Sequence, residues 1–127
     1  MLFARVLLVI SALVWLAIGV TFLFWPRAMA AYVEVQLPTP TALIDFRATY
    51  GGFDLVIGIF FAICAVHAAW TRPGVAAMAL VYGGFAGGRI VGLLLDGTPK
   101  PLMYQLLATE LTGLALSIIA WQRAGAS

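Results

Sequence analysis

The sequence predicts an all-α membrane protein, a four-transmembrane-helix antiparallel bundle. Of its 127 residues, 64% are hydrophobic and 9% are charged, a balance far outside the range of soluble proteins. Four apolar stretches each reach the roughly 20 residues that cross a hydrocarbon core about 30 Å thick. No alternating strand pattern accompanies them, and lipid offers backbone groups no hydrogen-bond partner. The four stretches are therefore predicted to be helices.

The predicted helices follow from the limits of the apolar runs, and the whole chain is expected to form one domain. The helices comprise residues 2–25, 44–70, 74–95 and 102–121. The long connection, residues 26–43, has room for a short interfacial helix before Pro38 and Pro40 force an extended turn. The connections at residues 71–73 and 96–101 are short, which makes successive helices antiparallel neighbours.

The first apolar run also has features of a cleaved signal peptide, because Arg5 lies near its beginning and the small residues Ala28 and Ala30 follow it. The run is longer than the usual signal-peptide core, and Trp25 and Pro26 intrude before the would-be cleavage site. We therefore expect a retained helix that ends at an interfacial tryptophan and a helix-stopping proline.

Charged residues in the loops predict the orientation. The side that holds both termini and the second connection carries Arg5, Arg72 and Arg123 and no acidic residue. The opposite side carries Glu34, Asp45 and Asp96 together with Arg27 and Lys100. By the positive-inside rule, both termini are expected in the cytoplasm of a bacterial inner membrane, with residues 26–43 on the non-cytoplasmic side.

Composition argues against several function classes. The net charge of +2 comes from seven basic residues spread along the chain, so a nucleic-acid partner is not expected. Cys64 is the single cysteine, which leaves no intramolecular disulfide or zinc ribbon. His67 is too far along its helix from the carboxylates for a metal site, and no phosphate loop or nucleophile elbow is present. We expect neither a metal nor a cofactor.

Four charged residues of the predicted spans form a set in the outer half of the membrane. At about 1.5 Å of rise per residue, Arg47 lies about 5 Å from the outer end of its helix, Arg89 about 9 Å, Glu110 about 12 Å and Asp54 about 15 Å. Each would cost roughly 2.5 to 3.5 kcal/mol if it faced lipid alone. We therefore expect these side chains to face one another.

Two interpretations of these charges remain open. A spacing of three and seven residues places Arg47, Tyr50 and Asp54 on one helix face, and Tyr82 shares a face with Arg89. In the first interpretation these residues and Glu110 line a ligand-binding pocket. In the second they form a neutral network, such as Arg89 with Glu110 and Arg47 with Asp54, that only fixes the register of the helices.

Glycines on two helices are predicted to serve helix packing. They are Gly51, Gly52, Gly84, Gly88 and Gly92, of which the last three have the four-residue spacing that lets helices approach closely in lipid. An alternative is that the missing side chains leave a small cavity beside Asp54 and Arg89.

The segments "RATYGGFDLVIGIFF", "GGRIVGLLLDGTPKP" and "ELTGL" carry a family resemblance over nearly the whole chain. The sequence resembles a bacterial family catalogued as domain of unknown function 4345, and in plan it is similar to the DoxX-like four-helix membrane proteins. The resemblance implies the four-helix topology and no assigned activity. It marks as motif positions Arg47, Tyr50, Gly51, Gly52, Arg89, Asp96, Gly97, Pro99 and Glu110.

Three functional hypotheses follow. In the first, the outer-half pocket binds or carries a membrane lipid or another lipophilic small molecule with a polar head. In the second, the charges fix the fold of an accessory subunit, and the glycine faces dock a second copy or another membrane protein. The third is a membrane isomerase with Asp54 or Glu110 as general acid or base, although no complete catalytic constellation can be assembled.

Overall fold

The computed structural model describes residues 1–126, and within them it contains helices and no strand. The helices are α1 (Leu2–Phe24), α2 (Pro26–Tyr32), α3 (Pro40–Val66), α4 (Ala68–Leu95) and α5 (Pro101–Ala126). Four of them, all except α2, are long and apolar enough to cross a membrane. The predicted all-α class with four spanning helices is confirmed.

The long connection contains α2, and α3 begins earlier than the sequence predicted. Thr39 caps α3, because its side-chain oxygen accepts a hydrogen bond from the backbone nitrogen of Ala42 at 3.2 Å. Pro40 follows as the first helical residue, where its missing N–H costs nothing. This proline therefore starts the helix instead of delaying it to residue 44.

A π-helical segment, Arg47–Gly52, lies within α3. At its end the backbone N–H of Phe53 bonds to the carbonyl of Ala48, five residues back. Such a wide turn adds one residue relative to the α-helix, and it rotates the side chains that follow by about 100° relative to those before.

The break between α3 and α4 lies at His67, and the predicted loop at residues 71–73 is wrong. His67 has an extended backbone (φ −101°, ψ 112°). The hydroxyl of Thr71 donates to the carbonyl of Cys64 at 2.9 Å, which satisfies an acceptor at the end of α3. Pro73 lies inside α4, where its nitrogen has no hydrogen to donate to the helix.

The chain divides into two compact units. One comprises residues 9–63, and the other comprises residues 1–8 together with the chain from Cys64 onward. The prediction of a single domain stays a prediction.

In the unit of residues 9–63, α1 and α3 run antiparallel and approach closely at glycines. A Cβ on Gly19 would lie 2.5 Å from the backbone nitrogen of Leu55, and a Cβ on Gly58 would lie 2.7 Å from that of Leu16. Real Cβ atoms do not come so close to backbone, so only glycine allows this spacing between the helices.

In the other unit, α4 and α5 form an antiparallel hairpin. They are joined by a short loop in which Gly97 adopts a positive φ of 97°, a conformation that favours glycine. At the far end of the hairpin, the guanidinium of Arg72 lies 4.6 Å from the ring centroid of Trp121. The guanidinium of Arg123 lies 5.3 Å from the ring of Phe3, so the beginning of α1 and the end of α5 are in contact.

Candidate functional site

The central feature of the α4–α5 hairpin is an ion pair between Arg89 and Glu110. The Nε–H of Arg89 donates to both carboxylate oxygens, at 2.7 and 2.8 Å. The Glu110 side chain is 10% exposed and that of Arg89 is 24% exposed. The pair neutralises two charges that would each be costly alone in a membrane span. The structure therefore contains the Arg89–Glu110 pair that the network interpretation predicted.

Arg89 has more donors than Glu110 uses. Its Nη1 lies 3.4 Å from the sulfur of Met103, a weak acceptor that the sequence analysis did not single out. Its Nη2 donates to no acceptor within residues 1–126. A guanidinium carries five N–H donors, so the outer edge of Arg89 remains available for hydrogen bonds to another molecule.

Tyr82 contacts α5 within the same hairpin. A Cβ on Gly113 would lie 2.9 Å from three carbons of the Tyr82 ring, so the ring rests directly on the backbone of α5. Gly113 lies one helical turn from Glu110. The hairpin thus brings Arg89 and Glu110 together, and it carries Tyr82 on the same helix as Arg89.

Arg47 and Tyr50 have structural partners in the unit of residues 9–63. Arg47 donates from Nη1 to the carbonyl of Leu23, one of the last carbonyls of α1 and therefore without a helical partner. The ring of Tyr50 lies 4.7 Å from that of Phe46 and 5.9 Å from that of Phe22. The sequence analysis did not anticipate the Leu23 carbonyl, because a backbone acceptor leaves no signal in residue types.

The predicted ion pair between Arg47 and Asp54 is not formed. The spacing of seven residues would place both on one face of a continuous α-helix. The π-helical segment Arg47–Gly52 intervenes and rotates Asp54 away from that face. The prediction failed because it assumed α-helical phase throughout α3.

Asp54 is buried without a partner. Its residue is only 6% exposed, and its carboxyl makes no hydrogen bond or ion pair with any residue from 1 to 126. It is the one buried carboxyl that lacks a partner in this described part of the chain, since Glu110 is bonded to Arg89. The same residues contain no cluster of three potential metal ligands.

The predicted packing glycines differ in their surroundings. A Cβ on Gly51 would lie 2.7 Å from the Cα of Leu23, so Gly51 lies against α1. Gly52 has only the carbonyl of Arg47 nearby, at 3.9 Å. Nothing lies within 4 Å of a Cβ on Gly84 or Gly88, and Gly92 faces only the carboxylate of Asp96 at 3.5 Å. A partner for this side of α4 stays a prediction.

The six predicted ligand-binding residues belong to different units. Tyr82, Arg89 and Glu110 lie on the α4–α5 hairpin. Arg47, Tyr50 and Asp54 lie on α3, in the unit of residues 9–63. A pocket formed by all six stays a prediction.

Four apolar helices of spanning length, with an ion pair inside one helical hairpin, define a multi-pass membrane protein. The chain belongs to the family described as Domain of unknown function (DUF4345), whose profile matches residues 3–121. The family resemblance carried by the Arg-x2-Tyr-Gly-Gly and Gly-Arg motifs is thereby confirmed. No curated protein and no solved structure matches the chain. Function is therefore argued from the residues themselves.

Proposed function

We propose that this protein is a small bacterial inner-membrane protein that binds or carries a lipophilic molecule, and that Arg89 holds the polar head of that molecule. The observation that carries the proposal is the unused edge of the Arg89 guanidinium. Its Nη2 has no protein acceptor within residues 1–126, although the side chain is 24% exposed. In a membrane span, N–H donors without an acceptor are costly, which favours a bound acceptor at this position.

The charge of the pair indicates the chemistry of the head group. Because Glu110 neutralises Arg89, the site offers hydrogen-bond donors without a net positive charge. Such a site suits a carbonyl or ester oxygen of a lipophilic molecule better than a free multivalent anion. Glu110 also fixes the orientation of the guanidinium, so the remaining donors point in a defined direction.

The proposed orientation places both termini in the cytoplasm. Supporting it, Arg123 lies over Phe3, and Arg72 lies beside Trp121 at the same end of the α4–α5 hairpin. This end is therefore rich in arginine, as expected for the cytoplasmic side of a membrane protein. The Arg89–Glu110 pair then falls in the outer half of the membrane.

The test is the ligand content of the purified protein, measured by native mass spectrometry and by extraction of bound lipophiles. The variant Arg89→Lys keeps the charge but loses the planar set of donors, and we expect about a tenfold or larger drop in ligand per protein. Arg47→Lys is the matched control, because Arg47 bonds to Leu23, and its ligand content should equal the wild type. An unchanged ligand content in Arg89→Lys, or no bound lipophile in the wild type, would refute the proposal.

A second candidate is an accessory subunit that docks a partner through the glycine-rich side of α4. It is favoured by Gly84, Gly87 and Gly88, where an added Cβ would meet nothing within 4 Å. Glycine inside a helix costs up to about 1 kcal/mol relative to alanine, so three glycines without an internal contact are costly. Crosslinking in native membranes discriminates the candidates: Gly88→Leu should abolish a partner contact while leaving the ligand content unchanged.

A further inference from the structure

Asp54 is the ionisable residue that the proposed ligand site does not use. It lies in the first turn of the helix after the π-helical segment, inside the span Pro40–Val66. Asp54 as a whole is 6% exposed. Its carboxyl has no hydrogen-bond or ion-pair partner among residues 1–126. An ionised carboxylate here would have no counter-ion among residues 1–126 to stabilise it, inside a span that hydrocarbon surrounds.

The neighbouring part of α1 offers Asp54 no compensating charge. Residues 9–24, which pack on α3, contain no titratable side chain. On α3 itself, the guanidinium of Arg47 is bonded to the carbonyl of Leu23. The other charged residues of this unit, Arg27, Glu34 and Asp45, are exposed.

The helices α1 and α3 are closely packed on either side of Asp54. One turn further along the helix, a Cβ on Gly58 would lie 2.7 Å from the backbone of Leu16, so α1 and α3 are in direct contact there. One turn before Asp54, Gly51 contacts Leu23 in the same way. In the hydrocarbon of a membrane, a charge without a counter-ion costs far more than the neutral group, so the carboxyl is retained at low cost only with its proton.

We propose that Asp54 is an intramembrane proton-binding site whose side chain is held as the uncharged carboxylic acid at neutral pH. The bound species is a single proton on a carboxyl oxygen. This proposal is independent of the ligand at Arg89, since it rests on different residues and makes no use of a bound molecule. Glu110, the other buried acidic residue among residues 1–126, is paired with Arg89.

Infrared spectroscopy of the protein in lipid at neutral pH tests the proposal. A protonated carboxyl has a carbonyl stretching band that is well separated from the bands of carboxylates and amides. The chain contains only five Asp and Glu residues, which makes the assignment tractable. We expect the band in the wild type, its loss in Asp54→Asn, and its retention in the matched control Asp45→Asn at an exposed position of the same helix. Absence of the band in the wild type, or its persistence in Asp54→Asn, would overturn the proposal.

Chemical labelling of the wild-type protein tests the protonation of Asp54 if the variant Asp54→Asn does not fold. A hydrophobic carbodiimide adds to a protonated carboxyl, and the adduct keeps all atoms of both molecules, so the peptide gains the full mass of the reagent. We expect the adduct on the peptide that contains Asp54 and none on Glu110, whose carboxylate is paired with Arg89. An adduct on Glu110 with Asp54 unmodified would show the opposite protonation and contradict the assignment.

Discussion

Arg89 on α4 donates its Nε–H to both carboxylate oxygens of Glu110 on α5, at 2.7 and 2.8 Å. This contact joins the two helices of one hairpin through a pair of opposite charges. It also leaves Nη2 of Arg89 without an acceptor among residues 1–126. The ion pair bears on stability, and the free donors bear on ligand binding.

Removing one charge of the pair should destabilise the protein. Glu110→Gln leaves Arg89 charged and unpaired, at a cost of about 2–3 kcal/mol, less than the roughly 3–5 kcal/mol of a fully buried pair because Arg89 is 24% exposed. The free energy of unfolding in mixed micelles measures this effect. Glu34→Gln, at an exposed turn, is the control and should leave stability unchanged. Equal stabilities of the two variants would contradict a structural contribution of the pair.

Two glycine-to-alanine substitutions should change the stability of the protein in opposite directions. Gly58→Ala places a Cβ 2.7 Å from the backbone of Leu16, which forces α1 and α3 apart and costs about 1–3 kcal/mol. Gly88→Ala meets nothing within 4 Å and should stabilise the isolated protein by up to about 1 kcal/mol through helix propensity. Thermal unfolding of the purified variants measures both. A stabilising Gly58→Ala would show that the close approach of α1 and α3 is not required.

Arg47 should stabilise the end of α1. Arg47→Met keeps most of the apolar stem but leaves the Leu23 carbonyl without its donor, at a cost of about 1–3 kcal/mol. Faster hydrogen exchange in the last turn of α1 should accompany the loss. The control Arg27→Met, at an exposed position of α2, should change neither the stability nor the hydrogen exchange of α1. Unaltered exchange in Arg47→Met would mean that the carbonyl is not capped by this side chain.

Reporter fusions should reveal cytoplasmic termini. A fluorescent protein that folds only in the cytoplasm should fluoresce when fused after α5 and remain dark when inserted at Gly97, in the loop between α4 and α5. Alkaline phosphatase, which is active only outside the cytoplasm, should give the reverse pattern. The physical reason is the arginine-rich end formed by Arg72 and Arg123. The opposite pattern of both reporters would show that the termini lie outside the cytoplasm.

The sequence was sufficient to predict the fold class, because 20-residue apolar runs can satisfy their backbone in lipid only as helices. It was less informative about helix boundaries. Pro73 was interpreted as part of a loop, but the break lies at His67, where Thr71 bonds back to the Cys64 carbonyl. A proline near the start of an apolar run is compatible with a loop and also with the second turn of a helix. The sequence did not reveal that the Thr71 side chain would bond to the end of the preceding helix.

Of the two ion pairs named in the network interpretation, one is observed and the other is not. The Arg89–Glu110 pair follows from charge and depth on two regular helices. The Arg47–Asp54 pair failed because the π-helical segment between the two residues changes the phase, and no residue type signals such a segment. Glycine spacing likewise did not reveal which glycines pack inside the chain. A Cβ would come within 3.0 Å of other atoms at Gly19, Gly51, Gly58, Gly74, Gly113 and Gly125, of which only Gly51 was among the predicted packing glycines.

The ligand content of a double variant tests the central claim most directly. Replacing Arg89 and Glu110 together by leucine removes both charges, and exchange of a paired network for apolar packing is often neutral for stability. We expect a folded protein, with stability close to the wild type, that has lost its bound lipophile. A folded double variant that retains the wild-type amount of ligand would contradict the claim that Arg89 holds the polar head.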